Sequence, residues 1–277
     1  MVVTTTVPER EYGENFPVAL RILPRDIREH LHTIYQIARM IDDTGDQLPG
    51  DRTAQLMEIR RELSTVWNGA PTTAPMVRLA ETVDQCRLPE EPFQELVEAN
   101  LQDQRTSHYP TFEDLLAYCR LSAVPVGRMV LGVFGQKSVE LEQLSDDVCV
   151  ALQLLEHWQD VGEDCRNGRI YLPQEDMERF GVTADHIRQQ RCDAAWRALM
   201  AFEVERARAM LASGAPLALR LPGRVGWELR LVVQGGLRIL ERIETSGYDV
   251  FRRRPQLHAG DWLRMLGRAL CMTKGAA

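Results

Sequence analysis

The stretch YQIARMIDDTGD, residues 35–46, places three carboxylates within five positions of an otherwise apolar helical pattern. Asp42 and Asp46 are four residues apart, and Asp43 and Asp46 are three apart, so at least two carboxylates share one face of a helix. Like charges at this spacing destabilise an isolated helix. Either the acids lie on a solvated surface, or they bind a cation that cancels their repulsion.

The composition of the 277-residue chain is that of a soluble globular protein, with 44% hydrophobic and 26% charged residues. A formal net charge of −7 is unlike that of nucleic-acid-binding proteins, which usually carry a basic face. The N-terminal stretch has no apolar segment after a basic start, no apolar run reaches the length of a membrane span, and the six cysteines form no CxxC pair. We therefore expect a cytoplasmic protein with reduced thiols and no nucleic-acid partner.

Nearly every long segment of the chain has helical rather than alternating periodicity. Two of the apolar stripes are formed by Leu56, Ile59, Leu63 and Val66, and by Phe93, Leu96, Val97 and Leu101. The breaks between stripes are short and rich in turn residues, as in APTTAP, SHYPT and NGRIYLP. The pattern predicts one all-α domain over residues 1–277.

A second acidic stripe lies in LQLLEHWQDVGEDCRNGRIYLP, residues 152–173. Gln153, Glu156, Asp160 and Asp164 are separated by three, four and four positions, so they share one face of an apolar helix. For one such stripe alone, a solvated helix face is the favoured interpretation. Two acidic stripes in apolar surroundings instead favour a shared binding site.

Carboxylate oxygens are ligands that hard cations prefer, and Mg²⁺ is usually held by one or two protein carboxylates together with substrate phosphate oxygens. Two acidic helices that face each other across a cavity would therefore bind a Mg²⁺–diphosphate group. Nearby arginines would offset the remaining phosphate charge. Arg39 precedes Asp42 by one turn, and Arg166 and Arg169 follow Asp164.

Several segments resemble the squalene/phytoene synthase family of head-to-head prenyl synthases. The matching segments are YQIARMIDDTGD (35–46), YCRLSAVPVGRMVLGVFG (118–135), QDVGEDCRNGRIYLP (159–173) and, more weakly, GGLRILERIETSGYDVFRRRP (235–255). Within the family, ENFPVALRILP (14–24), WQD (158–160) and YCRLSAVPVG (118–127) are similar to the bacterial hydroxysqualene synthase branch. The resemblance implies a single-domain isoprenoid synthase fold with a central apolar cavity between helices.

The resemblance also implies the residues of the site. The implied ligands of Mg²⁺, with Mn²⁺ as the alternative ion, are Asp42, Asp43, Asp46, Asp160 and Asp164. The implied catalytic residues are Asp42, Asp46, Asp160, Asp164 and Tyr171. The implied substrate contacts are Asn15, Phe16, Tyr35, Arg39, Tyr118, Gly127, Gln153, Glu156 and Arg169.

Two positions depart from the pattern of the condensing members of the family. GENFP stands where those members have a serine-containing start, and Glu156 stands where they usually have asparagine. Glu156 could contact the metal, accept a proton or form a hydrogen bond. Pro125 and Gly127 also interrupt a helical pattern, where proline costs about 3 kcal/mol and glycine about 1. A kink or close approach to a ligand explains them as well as helix–helix packing does.

The branch resemblance implies Mg²⁺-dependent ionisation of presqualene diphosphate, rearrangement and capture by water to give hydroxysqualene, without NADPH. Glu156, His157 and Tyr171 are the candidates for positioning that water. The alternatives are a condensing squalene or phytoene synthase and a non-catalytic helical relative that acts as a scaffold.

The partners expected from the resemblance are a prenyl diphosphate substrate and neighbouring enzymes of squalene synthesis. RRRP, residues 252–255, is typical of a solvated basic tail, and contact with an anionic membrane surface is the alternative interpretation. A peripheral position at the membrane is therefore the alternative to a purely cytoplasmic location.

Overall fold

The structure, a computed structural model, describes residues 23–272, and this range is largely helical. The helices, numbered in chain order, are α1 (Arg25–Asp46), α2 (Arg52–Trp67), α3 (Ala74–Cys86), α4 (Glu91–Asp103), α5 (Phe112–Ser122), α6 (Val124–Val133), α7 (Val139–Arg166), α8 (Gln174–Phe180), α9 (Ala184–Arg188), α10 (Ala194–Gly214), α11 (Leu217–Arg220), α12 (Gly223–Thr245) and α13 (Ala259–Cys271). Within residues 23–272 no strand forms, and one isolated bridge joins His108 to Ile170. The all-α prediction is confirmed, and the assignment of residues 1–277 to a single domain stays a prediction.

Side chains at the helix starts satisfy backbone N–H groups that have no partner within the helix. Asp51 accepts from the backbone N–H of Ala54 at the start of α2, and Ser138 accepts from that of Leu141 at the start of α7. Thr111 and Asp114 form a reciprocal capping box before α5. These local contacts explain why the helices begin after the turn-rich breaks in the sequence.

The apolar stripes pack into two large clusters of buried side chains. The first joins α1–α4 with α6 and includes Ile41, Leu56 and Phe93. The second surrounds α7 and α10 and includes Trp158 and Trp196, neither of which is exposed. Burial of whole stripes supplies the stability that short isolated helices lack, so the amphipathic patterns in the sequence predict the core correctly.

The segment around Pro125 is broken rather than kinked. Helix α5 ends at Ser122 and α6 begins at Val124, so Pro125 falls within the first turn of a new helix, where its missing N–H costs little. A Cβ on Gly127 would overlap the side chains of Ser145 and Cys149 on α7. Glycine at this position therefore allows α6 and α7 to approach closely.

By length and composition alone, the stretch Phe112–Val133 could cross a membrane. In the structure it consists of α5 and α6, and 56% of its most apolar window is buried against other helices. Its apolar character is therefore explained by its place in the core of the helical domain.

Candidate active site

A cavity of about 1240 Å³ lies where α1, α4, α5 and α7 face one another, with the loop after α7 and Arg254 completing its wall. Asp42 and Asp46 line it from α1, and Asp160 and Asp164 line it from α7. The two acidic stripes, which are remote in the sequence, thus meet across one cavity. This convergence is the arrangement expected if the two stripes share a cation.

The described lining of the cavity is strongly charged. Its carboxylates are Asp42, Asp46, Asp103, Glu156, Asp160, Glu163 and Asp164, and its guanidinium groups are Arg39, Arg52, Arg169 and Arg254. Leu96 is the one aliphatic residue in the described lining. A cavity between the helices is present as predicted, but the prediction that it is apolar is wrong for the part that residues 23–272 form, because both acidic stripes and their arginines converge there.

The first acidic stripe is held against α4. The amide of Asn100 donates to Asp42 Oδ1 at 3.0 Å, and a Cβ on Gly45 would run into the same amide, so glycine permits this approach. Burial, opposed by the Asn100 hydrogen bond and by Arg39, raises the pKa of Asp42 to about 6. Asp43 instead forms an ion pair with Arg39, with 3.3 Å between Nε and Oδ1.

Arginines that are distant in the sequence pair with one carboxylate of each acidic stripe. Arg254 donates from Nη2 to Asp160 Oδ2 at 2.8 Å, and Arg169 donates from Nη1 to Asp46 Oδ1 at 2.8 Å. Burial and the neighbouring Asp160 carboxylate raise the pKa of Asp164 to about 8. Arg169 therefore joins the end of α1 to the loop that follows α7.

An aromatic cluster borders the acids. Tyr118 donates its hydroxyl to Asp103 Oδ2 at 2.7 Å, and Tyr171 donates to Asp103 Oδ1 at 3.2 Å. Burial, only partly offset by Arg169 and the Tyr118 hydrogen bond, raises the pKa of Asp103 to about 6. The ring of His157 stacks on Tyr171 with 3.8 Å between ring centroids, and burial lowers its pKa to about 3. His157 is therefore a neutral, packed side chain at neutral pH.

The structure brings most of the predicted site residues together. The predicted residues that line the cavity are Arg39, Asp42, Asp46, Tyr118, Gln153, Glu156, Asp160, Asp164, Arg169 and Tyr171. Tyr35, Asp43 and Gly127 are not among the lining residues. Close packing of α6 on α7 accounts for the glycine at position 127, and its place in the cavity lining stays a prediction. Asn15 and Phe16 lie outside the described residues.

Three residues of the site were missed by the sequence analysis. The sequence pattern of Arg254 is typical of a solvated basic tail, and this prediction is wrong because its guanidinium pairs with Asp160 in the cavity wall. Asn100 and Asp103 follow Phe93 and Leu96 on α4 at helical spacing, and only the interruption of this apolar stripe by polar residues could have indicated them.

The residues present fit a divalent cation that is shared with a substrate. Within residues 23–272, no three His, Cys, Asp or Glu side chains converge closely enough to hold an ion unaided. Asp42 and Asp164 nevertheless face the same cavity with raised pKa values, which a nearby cation would lower. Oxygen donors of this kind suit Mg²⁺ when phosphate oxygens complete its coordination.

The sequence model described as "Squalene/phytoene synthase" matches residues 9–261 of this chain. The protein belongs to the squalene/phytoene synthase family. Enzymes of this family are of the prenyltransferase type. The resemblance inferred from the acidic motifs is thereby confirmed.

Proteins similar to this squalene/phytoene synthase family member are named for several different activities. The crystal structure of squalene synthase HpnC from Alicyclobacillus acidocaldarius superposes with a TM-score of 0.79 at 44% identity, covering 82% of this chain and 86% of that one. Presqualene diphosphate synthase from Rhodopseudomonas palustris is 32% identical over 85% of both chains. The 15-cis-phytoene synthase of Synechococcus elongatus is 29% identical over 95% of this chain and 89% of its own.

Proposed function

We propose that this protein is a hydroxysqualene synthase, which converts presqualene diphosphate and water to hydroxysqualene and diphosphate. The observation that carries the proposal is the convergence of the two acidic stripes on one cavity beside Tyr118 and Tyr171. The 44% identity with a structure named squalene synthase HpnC supports a squalene-type product over phytoene.

The charged residues would bind and orient the diphosphate. Asp42, Asp46, Asp160 and Asp164 would hold the cation, and Arg169 would remain close enough to pair with a phosphate oxygen. Bound Mg²⁺, or Mn²⁺ in its place, supplies Lewis-acid stabilisation of the departing diphosphate.

The aromatic cluster would stabilise the positive charge that the departing diphosphate leaves on the hydrocarbon. Tyr118 and Tyr171 stack with 5.5 Å between ring centroids and both line the cavity. The faces of such rings attract cations, the more so where water is excluded. The two rings would therefore form a cation-stabilising wall beside the acids that would receive the diphosphate.

A condensing synthase, which would join two prenyl diphosphates, is the second candidate function. It is favoured by the names of two relatives that cover most of this chain, a presqualene diphosphate synthase and a 15-cis-phytoene synthase. The acidic stripes would serve either reaction, since both require departure of diphosphate. Substrate therefore has to be tested directly.

The decisive experiment supplies each substrate separately with Mg²⁺ and without NADPH. Pure protein given presqualene diphosphate is expected to release hydroxysqualene and diphosphate, identified by mass spectrometry and a diphosphate assay. Accumulation of presqualene diphosphate from farnesyl diphosphate, or of phytoene from geranylgeranyl diphosphate, would assign the condensing function instead. Inertness with all three substrates would favour a scaffold.

The proposal includes peripheral contact with a lipid surface, which the exposed face of α13 supports. Its exposed apolar residues are Trp262, Leu263, Leu266 and Leu270. A helix that exposes Trp and Leu suits the membrane interface. Wild-type protein is expected to sediment with vesicles of phosphatidylglycerol and phosphatidylcholine, whereas a Leu263→Ser/Leu266→Ser variant should stay in solution. The control is Val139→Ser, which changes an exposed apolar residue on α7 and should sediment like the wild type. Equal sedimentation of all three proteins would contradict this part of the proposal.

A further inference from the structure

The carboxylate of Asp103 fixes the direction of two hydroxyl groups at the cavity wall. An ionised carboxylate can only accept hydrogen bonds, so the O–H groups of Tyr118 and Tyr171 both point toward Asp103, at 2.7 and 3.2 Å. Each phenol oxygen retains lone pairs that are not used in these bonds. Because all three side chains line the cavity, those lone pairs are available to a group inside it.

Tyr118, Tyr171 and the His157 ring that stacks on Tyr171 are poor proton acceptors by themselves. Burial lowers the pKa of His157 to about 3, so its imidazole binds a proton only weakly at neutral pH. Burial also raises the pKa of the hydroxyls of Tyr118 and Tyr171, which therefore do not ionise near neutrality. A proton that reaches either tyrosine must pass to a stronger base behind it.

A further polar atom lies on the same helix as Tyr118. Ser122 follows Tyr118 by one turn of α5 and lines the same cavity. Its Oγ is buried and has no hydrogen-bond partner among the described residues. A buried hydroxyl without a partner is costly unless it is used by a bound group, so this atom indicates a polar ligand at that point of the wall.

We propose that Asp103 is the terminal proton acceptor for the water that ends the reaction, reached through the hydroxyls of Tyr118 and Tyr171. This inference rests on the proposed function. Water held by a tyrosine oxygen and Ser122 Oγ forms the C–O bond with the carbocation. One proton of that water passes to the tyrosine oxygen as the tyrosine's own proton passes to Asp103. The products are the neutral alcohol, the intact phenol and a protonated carboxyl, so charge and atoms balance.

The test replaces Asp103 with asparagine, which keeps the size of the side chain and removes its basicity. With presqualene diphosphate and Mg²⁺, the variant is expected to release diphosphate within about threefold of the wild-type rate. Hydroxysqualene formed per diphosphate released is expected to fall at least about tenfold, with other products of the cation in its place. A purely structural role would lower both quantities together and leave their ratio unchanged.

Controls separate the failure of this inference from the failure of the proposed function. Glu113→Gln removes an exposed carboxylate from α5 outside the cavity and should leave the ratio unchanged. If Asp103→Asn loses its helical circular dichroism, Tyr118→Phe/Tyr171→Phe carries the test with the same expected fall. Wild-type protein that makes no hydroxysqualene defeats the proposed function. Wild-type and Asp103→Asn proteins that make it in equal ratio overturn the role of Asp103 alone.

Discussion

Replacing Asp160 with asparagine is expected to lower diphosphate release from presqualene diphosphate by at least about a hundredfold, since under the proposed function it removes a carboxylate that holds the cation and with it several kcal/mol of charge stabilisation. The fold should survive, because the asparagine oxygen can still accept from Arg254, which lies at the cavity wall. Activity is measured by a diphosphate assay across a Mg²⁺ titration, and folding by circular dichroism.

A matched control for this change lies on the same helix. Asp146 is also on α7 and also pairs with an arginine, Arg128, at 3.0 Å, but it does not line the cavity. Asp146→Asn should keep activity within about twofold of wild type, as expected for a surface ion pair. If Asp160→Asn were as active as Asp146→Asn at every Mg²⁺ concentration, the assignment of Asp160 to the metal would be wrong.

Replacing Arg206 is expected to lower the free energy of unfolding more than replacing any other arginine of the core. It donates to Asp176 at 2.8 Å and to Glu203 at 3.2 Å, and both carboxyl groups are almost entirely buried. Arg206→Leu leaves these acids without their cation, which typically costs about 3–5 kcal/mol of the free energy of unfolding. The loss is measured by chemical denaturation followed by circular dichroism.

The cost of Arg206→Leu should depend on pH in a defined direction. Burial raises the pKa of Glu203 to about 8 even with Arg206 beside it. A carboxyl whose pKa is higher in the folded than in the unfolded state loses stability as pH rises between the two values. Without Arg206 the cost of ionising buried Glu203 grows. The free energy of unfolding lost in Arg206→Leu should therefore be larger at about pH 8.5 than at about pH 5.5, where Glu203 binds a proton.

Arg208 is the matched control for this prediction. It lies on the same helix, α10, and pairs with Glu205 and Glu244, whose side chains are 71% and 38% exposed. Solvent screens such pairs, so Arg208→Leu should cost about 0–1 kcal/mol with little dependence on pH. Equal losses for the two variants, or a loss for Arg206→Leu that shrinks as pH rises, would contradict the buried-cation account.

The acidic residues of the site could be predicted because their information is local. Asp42 and Asp46, like Asp160 and Asp164, are four positions apart, and that spacing alone places each pair on one helix face. The expectation that the two faces meet came from chemistry, because two charged stripes within apolar segments need a common counter-ion. Pro125 was recognised as an interruption for the same local reason, although its result is a new helix rather than a kink.

Arg254 shows what local patterns do not contain. Three consecutive arginines have the composition of a solvated tail, and nothing in their spacing indicates that the third pairs with Asp160, 94 positions away. Gly127 is a second such case, since the sequence left close approach to a ligand and helix–helix packing as equal explanations, and only the structure shows that α7 packs closely against it.

By itself, the amino-acid sequence determined the helices, the faces they bury and the acids that each face presents, since these follow from a period of 3.6 residues and from local capping. Only the tertiary structure decided that Asn100 supports Asp42, that Asp103 joins two tyrosines and that Arg254 closes the wall. The physical reason is that helix periodicity is a short-range property, whereas the neighbour of a side chain depends on how whole helices pack.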